Sequence, residues 1–341
     1  PAGFRALTQD EVPSSNVGVT DMAWLKNRET TDKPTIFDSM RTYGSERLET
    51  NDSAAESQQP DAVQKFLGGG IHLEDYADTN RDGDGHIAHF WSAGGFDNVA
   101  ANTAGAGATV ASQQVANPAA GFSIVTWTGN NTDNTKIAHG LSQAPEMIIA
   151  KNRDDGTDWW VFHHKLTADK NLKLNTTDAQ GTFATGVYDH SGFTSQYFTV
   201  SNGSSNGNSI NGSGDAMIAY IWHGVYGYSK FGEYSGNGES QRGPFIYTGF
   251  RPKLVFLKCK SHSGTNWEMR DTARNPNNLV TQVWYPGISS TEYTTDNMDI
   301  FSNGFQLRSS GGGRNDSGKN YIYAAWAELP LFDGTSFAPA R

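Results

Sequence analysis

The chain has 341 residues and a mass of 37.0 kDa, more than the ~100–200 residues of an ordinary single domain, so two or three modules are predicted. Its 26 basic and 36 acidic residues give a net charge of −10 without a cluster of lysine or arginine, which argues against nucleic acid and anionic membranes as partners. Cys259 is the only cysteine and no apolar stretch approaches the ~18 residues of a membrane span, so neither an intrachain disulfide nor a transmembrane helix is expected.

The first predicted elements are apolar runs that end in lysine. They occupy residues 22–26, 147–151 and 254–258 and end at Lys26, Lys151 and Lys258. Because no polar residue interrupts these runs, we expect strands that are buried on both faces. The 38 glycines and the 12% of aromatic residues agree with many short strands joined by tight turns.

A second pattern follows each run: Asn-x-(Ser/Asp)-Gly, then isoleucine four residues after the glycine and tryptophan four residues later. Its glycines are Gly83, Gly214 and Gly318, and its tryptophans are Trp91, Trp222 and Trp326. The intervals from lysine to tryptophan are 65, 71 and 68 residues, so the two patterns recur together. Three copies of a unit of roughly 70 residues are therefore predicted, because recurrence at a fixed period is the signature of tandem modules.

Each glycine-containing turn is predicted to close a β-hairpin at the end of its repeat. The segment before the first turn alternates apolar residues, as at Ile71 and Leu73, and the segment after it places Ile87 and Trp91 on one face of a strand. Strands this short need a second layer to bury their apolar face. The predicted fold is therefore all-β, with three tandem repeats of a small antiparallel β-sandwich of jelly-roll-like type.

The repeats predict the organisation of the domains along the chain. The first repeat takes residues 1–91, an Ala/Gly-rich connector takes 92–120, the second repeat takes 121–228, and the third repeat with its C-terminal tail takes 229–341. A linear array and a packing of three units about a pseudo-threefold axis both fit this order. The first repeat has no counterpart of the other repeats' opening segment in residues 1–17, so it is either truncated or completed by another chain.

Several phrases of the repeats resemble a known group of proteins. These phrases lie at residues 119–125, 144–153, 243–252 and 321–328. They resemble a repeat domain of unknown function found in virion and tail-fibre-like proteins of marine bacteriophages, notably cyanophages. The resemblance covers about residues 18–332 and implies a component of the virion surface or tail, but it brings no catalytic residues.

One acidic loop in the first repeat is a candidate metal site. Its oxygen-bearing residues Asp78, Asn80, Asp82 and Asp84 match the first half of an EF-hand loop, which predicts Ca²⁺. The twelfth position, which needs glutamate, is His89, and the other repeats have plain turns there, so an acidic turn without a cation is the alternative. No other cofactor is predicted. The remaining histidine pair His163–His164 has no recognised ligand spacing and is expected to pack or to be solvated.

Among the tryptophans, Trp159 is the candidate for ligand binding. Trp160 and Trp267 both lie nine residues after a marker lysine, which predicts a repeated core position. Trp159 has no such partner, so we expect it to be exposed and able to stack on a sugar. No hydrolase, metalloprotease or nucleotide-binding motif occurs, so the chain is not expected to be an enzyme.

These observations predict a structural protein on the exterior of a phage particle, made in the host cytoplasm. A tail-fibre or adhesin-like component fits best, with other virion proteins, a host glycan or protein, and copies of itself in a trimer as partners. A capsid-decorating protein and a carbohydrate-binding module are the alternatives. A glycan depolymerase, which needs two carboxylates ~5–9.5 Å apart, stays a third hypothesis without motif support.

Overall fold

The computed structural model describes residues 5–8, 20–41, 45–67, 70–101, 107–182, 187–201, 210–311 and 313–328. Over these ranges the chain is almost entirely β, with 26 strands, one helical turn α1 and a 3-10 turn at His190–Gly192. The all-β prediction is confirmed.

Each repeat contains eight of the described strands, and two further strands lie between the first and second repeats. The first repeat holds β1 (Arg5–Thr8), β2 (Met22–Asn27), β3 (Thr35–Asp38), β4 (Glu46–Glu49), β5 (Ser57–Gln58), β6 (Val63–Leu67), β7 (Gly70–Leu73), α1 (Ala77–Asn80) and β8 (His86–Trp91). Next come β9 (Gly95–Val99) and β10 (Ser112–Asn117). The second repeat holds β11 (Phe122–Thr128), β12 (Thr135–Ala138), β13 (Met147–Asn152), β14 (Trp160–His163), β15 (Lys170–Lys173), β16 (Gly181–Thr182), β17 (Tyr197–Val200) and β18 (Ala216–Trp222). The third repeat holds β19 (Ser229–Ser235), β20 (Phe245–Tyr247), β21 (Pro252–Cys259), β22 (Glu268–Asp271), β23 (Val280–Val283), β24 (Tyr293–Phe301), β25 (Gly304–Arg308) and β26 (Asn320–Ala327).

Each repeat consists of two antiparallel sheets that share a core. The larger sheets have the orders β5-β4-β3-β2-β8, β16-β15-β14-β13-β18-β11-β10-β9 and β19-β26-β21-β22, and the smaller ones β1-β7-β6, β12-β17 and β20-β25-β24-β23. In the first repeat, Leu25 and Phe90 of the larger sheet pack with Ile71 and Leu73 of the smaller sheet. This two-layer arrangement agrees with the predicted β-sandwich.

The same strand register recurs in all three repeats. The run that ends in lysine pairs with the tryptophan strand, and the equivalent pairs are Met22–Trp91 and Lys26–Ile87, Met147–Trp222 and Lys151–Ile218, and Leu254–Trp326 and Lys258–Ile322. Both β2 and β13 are buried along their whole length, as their uninterrupted apolar sequence predicts. The repeats found in the sequence are therefore repeats of structure.

The predicted hairpin at the end of each repeat is wrong. The strand before the glycine-containing turn belongs to the smaller sheet, whereas the strand after it pairs with the lysine run in the larger sheet. The turn therefore crosses between the two layers. Alternation at Ile71 and Leu73 correctly indicates a half-buried strand, but it carries no information about which strand lies beside it.

The connector predicted at residues 92–120 is also more than a connector. Its strands β9 and β10 extend the second repeat's larger sheet, with β10 paired to β11. Backbone hydrogen bonds hold these strands, so little apolar side-chain volume is needed, and Val115 supplies one buried contact.

The three repeats close around a shared centre instead of forming a linear array. The indoles of Trp91, Trp222 and Trp326 contact one another pairwise, with ring centres 5.9, 5.6 and 6.1 Å apart and interplanar angles of 66–74°. Equivalent residues of three repeats meeting at one point define a pseudo-threefold axis. Edge-to-face indoles add favourable quadrupole contacts to the burial of large apolar surfaces.

Candidate functional site

The junctions between repeats are built alike, and they close the ring. In each junction a backbone N–H of one repeat donates to the carbonyl of the residue two positions after the next repeat's marker lysine. These bonds are Glu56 N to Arg153 O (2.7 Å), Gln180 N to Lys260 O (2.9 Å) and Glu292 N to Arg28 O (2.7 Å). The first repeat thus binds the second, the second binds the third, and the third binds the first.

Ion pairs reinforce two of these junctions. Arg153 binds Glu56 through two hydrogen bonds of 2.9 and 2.7 Å, and Arg28 binds Glu292 through two of 3.1 and 2.8 Å. Two-pronged guanidinium–carboxylate pairs of this kind fix orientation as well as distance. At the remaining junction glutamine stands in the glutamate position. Lys260 binds Glu233 of its own repeat at 2.6 Å and donates to the Lys165 carbonyl oxygen of the second repeat.

A second polar contact crosses each junction deeper inside. The hydroxyl of Tyr220 donates to Asp38 at 2.6 Å, and the equivalent His89 lies 3.5 Å from Asp271, Nε2 to Oδ2. In the remaining junction, His163 Nε2 lies 3.2 Å from the Tyr323 carbonyl oxygen. These contacts run in the same cyclic order as the backbone bonds.

The junction between the third and first repeats contains a cavity of about 300 Å³. The whole length of β8 lines one side, and Leu254, Asp271, Arg274 and Trp326 of the third repeat line the other. Among the described strands, β8 pairs only with β2 and so forms an edge of its sheet. The cavity lies along that open edge.

The cavity combines charged groups with aromatic walls. Burial by itself raises the pKa of Asp271, but the charge of Arg274 and the neighbouring His89 side chain outweigh it and hold that pKa well below its usual range. The His89 ring stacks on Trp284 with 5.8 Å between centres. Within the described part of the chain, both ring nitrogens of His89 and the Nε1 of Trp91 are buried polar atoms without a hydrogen-bond partner.

This arrangement is suited to binding. Among the described residues, no serine, threonine or cysteine lines the cavity, so within that set the His89–Asp271 pair has no hydroxyl or thiol on which to act as a base. Sequence reasoning missed this site, because its residues come from repeats far apart in the chain. Two signals pointed towards it: the basic residue two positions after each marker lysine, and the missing opening segment of the first repeat.

Trp159 is not exposed, so the predicted sugar contact at this residue is wrong. Its side chain is fully buried, and its Nε1 donates to the Glu49 carbonyl oxygen of the first repeat at 2.9 Å. The strand registers match Trp159, not Trp160, with Trp267, because the loop of the third repeat is one residue longer. Trp267 makes the same contact, donating to the Lys173 carbonyl oxygen at 2.8 Å. Both tryptophans are parts of junctions.

Two carboxylates of the acidic loop of the first repeat, those of Asp78 and Asp84, are engaged by protein groups. Asp78 accepts a hydrogen bond from the Tyr76 hydroxyl at 2.8 Å, and Asp84 accepts one from the Asn27 amide at 2.8 Å and lies 3.3 Å from Arg81. Among the described residues, no group of three or more His, Cys, Asp or Glu side chains is placed to hold a metal ion. Calcium at Asp78, Asn80, Asp82 and Asp84 stays a prediction, and the ion would have to displace these partners.

The marker residues have structural roles that recur. Each marker lysine is buried and its ammonium group donates to carbonyl oxygens of the loop that follows, as Lys151 does to Asn152 and Asp155 at 2.7 and 2.9 Å. Burial lowers the pKa of Lys26, Lys151 and Lys258 to about 8 in every repeat. The turn glycines Gly83, Gly214 and Gly318 have φ of +84°, +86° and +71°, the left-handed region that glycine reaches without strain.

The histidine pair His163–His164 and His86 have protein partners. His164 Nε2 lies 3.1 Å from the Phe231 carbonyl oxygen, and its Nδ1 lies 3.4 Å from Glu146. His86 Nδ1 lies 3.2 Å from the Asp84 carbonyl oxygen. Burial lowers the pKa of His163 and of His164, which agrees with rings that pack at the junction between the second and third repeats.

Comparison with known families gives one match, and it runs through all three repeats. The model described as a domain of unknown function (DUF7483) matches residues 7–330. The chain belongs to this DUF7483 family. The match to DUF7483 covers the three repeats together and therefore includes both sides of the cavity. No curated protein and no solved structure matches the chain. In this DUF7483 domain, no helix of the described residues is long and apolar enough to cross a membrane.

Proposed function

We propose that the chain is a structural protein of a phage virion, exposed on the particle as a tail-fibre or adhesin-like component. The observation that carries the proposal is a closed ring of three β-repeats in a sequence whose repeat phrases resemble marine-phage virion proteins. A ring held by a shared tryptophan centre and by cyclic hydrogen bonds suits a part that must keep its shape while it presents a surface.

The placement of the turns supports this role. In each repeat the strand that follows the glycine turn carries the marker tryptophan at or next to its far end, and these tryptophans meet at the axis. The residues of these turns include exposed positions such as Asp82, Ser213 and Ser317. A single chain therefore holds three exposed turns around one axis, and this arrangement supports a host-contacting role.

The proposal includes other virion proteins as partners, assembly into a homotrimer and contact with the host surface. The mass of the purified protein in solution, measured by light scattering, tests the trimer. A mass of one chain at working concentration contradicts it.

Labelling of intact particles tests the location. Antibodies against the purified chain, carried on gold and imaged by electron microscopy, are expected to decorate the tail or its fibres. Decoration of the head supports the capsid-decorating alternative, and particles without any label contradict the assignment. Antibodies against a protein absent from the particle provide the matched control.

Binding of carbohydrate stays a second candidate, with a different motivation. Trp159 no longer supports it, whereas Tyr226 is 82% exposed and offers an aromatic face to solvent. A glycan array screened with the intact protein and with Tyr226→Ser tests this candidate. Loss of a glycan signal in the variant supports it, and the absence of any signal from the intact protein contradicts it.

A further inference from the structure

Among its described residues, the first repeat has no counterpart of one strand that the other two repeats possess. In the second repeat β11 pairs with the tryptophan strand β18, and in the third β19 pairs with β26. Among the described strands, the edge of β8 has no such neighbour. The strand that comes next in the repeat is present in all three, because β1, β12 and β20 each pair with the strand that precedes the glycine turn.

The open edge of β8 presents hydrogen-bonding groups. Arg28 N donates to Gly85 O, so hydrogen bonds to β2 fall on every second residue from Gly85 onwards, and the amides of Ala88 and Phe90 face away from β2. Their equivalents in the second repeat, Ala219 and Ile221, face β11. Ala88 and Phe90 are buried, with exposures of 6% and 0%, and buried amides need partners.

The cavity occupies the space that the extra strand fills elsewhere. Ile124 of β11 lies opposite Tyr220, and Phe231 of β19 lies opposite Ala324. Both side chains are buried in the core cluster to which all three repeats contribute. The equivalent position in the first repeat lies opposite His89, whose ring lines the cavity. The cavity thus lies where β11 and β19 lie in the other repeats, and no described strand of the first repeat occupies that position.

We propose that the edge of β8 binds an extended segment of another polypeptide chain as an added antiparallel strand. The segment would span about seven residues, the length of β11 and β19, with apolar side chains opposite His89 and Trp91. Main-chain hydrogen bonds provide the affinity in such strand addition, and alternate side chains provide the specificity. The inference goes beyond the proposed function and does not depend on the location of the chain in a particle.

The partner is a different polypeptide rather than a second copy of this chain. The strand that fits the position in the second repeat, β11, pairs on both sides with β10 and β18, so a second copy would have to open its own sheet to donate it. The sequence of β11, Phe-Ser-Ile-Val-Thr-Trp-Thr, defines the chemistry that fits: β-branched and aromatic residues with both faces buried.

A synthetic peptide tests the proposal. A fluorescent peptide with the sequence of residues 120–130 is titrated with the full chain and followed by anisotropy. We expect saturable binding at a ratio of one to one, with protection of the Ala88 and Phe90 amides from hydrogen exchange. No saturable binding overturns the proposal, including the case in which residues of the chain itself already occupy the edge.

Matched peptides distinguish strand addition from unspecific apolar binding. The amides of Ser123 and Val125 would bond β8, whereas the amide of Ile124 would face the opposite side. N-methylation at both Ser123 and Val125 should weaken binding roughly tenfold or more, since two hydrogen bonds are lost, and N-methylation at Ile124 should have little effect. Equal binding by both methylated peptides overturns the proposal.

A variant of the chain locates the binding. Ala273 is an exposed residue at the cavity, so Ala273→Trp should block the site without disturbing the core. The control is Ala119→Trp, at an exposed position beside β10 that does not line the cavity. Weaker binding by Ala273→Trp alone supports the proposal, and equal binding by both variants places the peptide elsewhere and overturns it.

Discussion

The indole of Trp91 lies 5.6 Å from that of Trp326, ring centre to ring centre, although the two residues belong to the first and last repeats. Together with Trp222 they form the centre of the ring. Replacing Trp222 with alanine should lower the free energy of unfolding by about 3–5 kcal/mol, because a large buried ring is removed from a site that its neighbours cannot refill. Urea denaturation followed by circular dichroism measures the loss, and Trp222→Phe should cost less.

The number of transitions in that experiment also carries information. Because the three repeats share this centre, the variant should still unfold in one transition. Two separate transitions would contradict a shared core.

The indole hydrogen bonds across junctions give a second prediction. Trp159→Phe and Trp267→Phe each remove a donor to a carbonyl of the preceding repeat, at Glu49 and Lys173. Each variant should have a lower free energy of unfolding than the parent protein. The loss should exceed the loss that the smaller ring alone explains by roughly 1 kcal/mol. The control is Trp284→Phe, whose indole nitrogen has no acceptor among the described residues. Equal losses in all three variants would contradict the role of these bonds.

The Glu56 carboxylate provides a prediction that depends on pH. Burial raises its pKa, but the hydrogen bond from Arg153 and the charge of Arg41 outweigh this, so the pKa lies below 4.5. Because the folded-state pKa is depressed, the stabilisation is present above the unfolded value and is lost as pH falls through the folded value. Glu56→Gln should therefore cost about 2–3 kcal/mol near pH 7, and the gap to the parent protein should close in acid.

The equivalent position in the second repeat supplies the control for Glu56. Gln180→Glu adds a carboxylate where the sequence has none, and its effect should stay within about 0.5 kcal/mol, as is typical of partly exposed charges. Chemical denaturation of both variants between pH 3 and about pH 7 provides the measurement. A gap for Glu56→Gln that does not change with pH would argue against the ion pair.

The buried lysines predict an unusual stability in mild alkali. The pKa of Lys151 is lowered from 10.5 to about 8 by burial, so the unfolded chain binds more protons than the folded chain between these values. Stability from this group therefore rises with pH across that window. Relative to Lys151→Met, the free energy of unfolding of the parent protein should rise by about 1–2 kcal/mol between pH 7.5 and 9.5. Urea denaturation at each pH measures this change. A constant difference would contradict a lowered pKa.

The turn glycines predict three similar losses. An added Cβ at Gly83, Gly214 or Gly318 meets nothing within 4 Å, so alanine there causes no clash and only the left-handed backbone is penalised. Each substitution should cost about 1–2 kcal/mol, measured by thermal or chemical unfolding. Gly129→Ala provides the contrast, because its Cβ would lie 2.1 Å from the Gly212 carbonyl oxygen. This substitution should therefore lower the free energy of unfolding by more than the turn substitutions do. If a turn variant costs as much as Gly129→Ala, the turn is not open as described.

Periodicity in the sequence determined the fold class, the three repeats and the strands at their centre. Lysine and tryptophan markers recur at nearly constant spacing, and each apolar run is buried on both faces because nothing polar interrupts it. Such signals are local, since a buried strand imposes its pattern on its own residues. The sequence of the strand at Ile71 and Leu73 does not determine to which sheet the strand belongs. The hairpin prediction was wrong for this reason.

The candidate site was decided by tertiary structure alone. His89 and Asp271 meet only because the third repeat closes on the first, and the pairing of Trp159 with Trp267 emerged only from the strand registers. Among the described residues no second strand lies beside β8, and the cavity lies along that edge. Which strands lie side by side depends on the tertiary structure. The sequence of each segment determines which of its faces must be buried. Closure of the ring determines which distant segments pack against those faces.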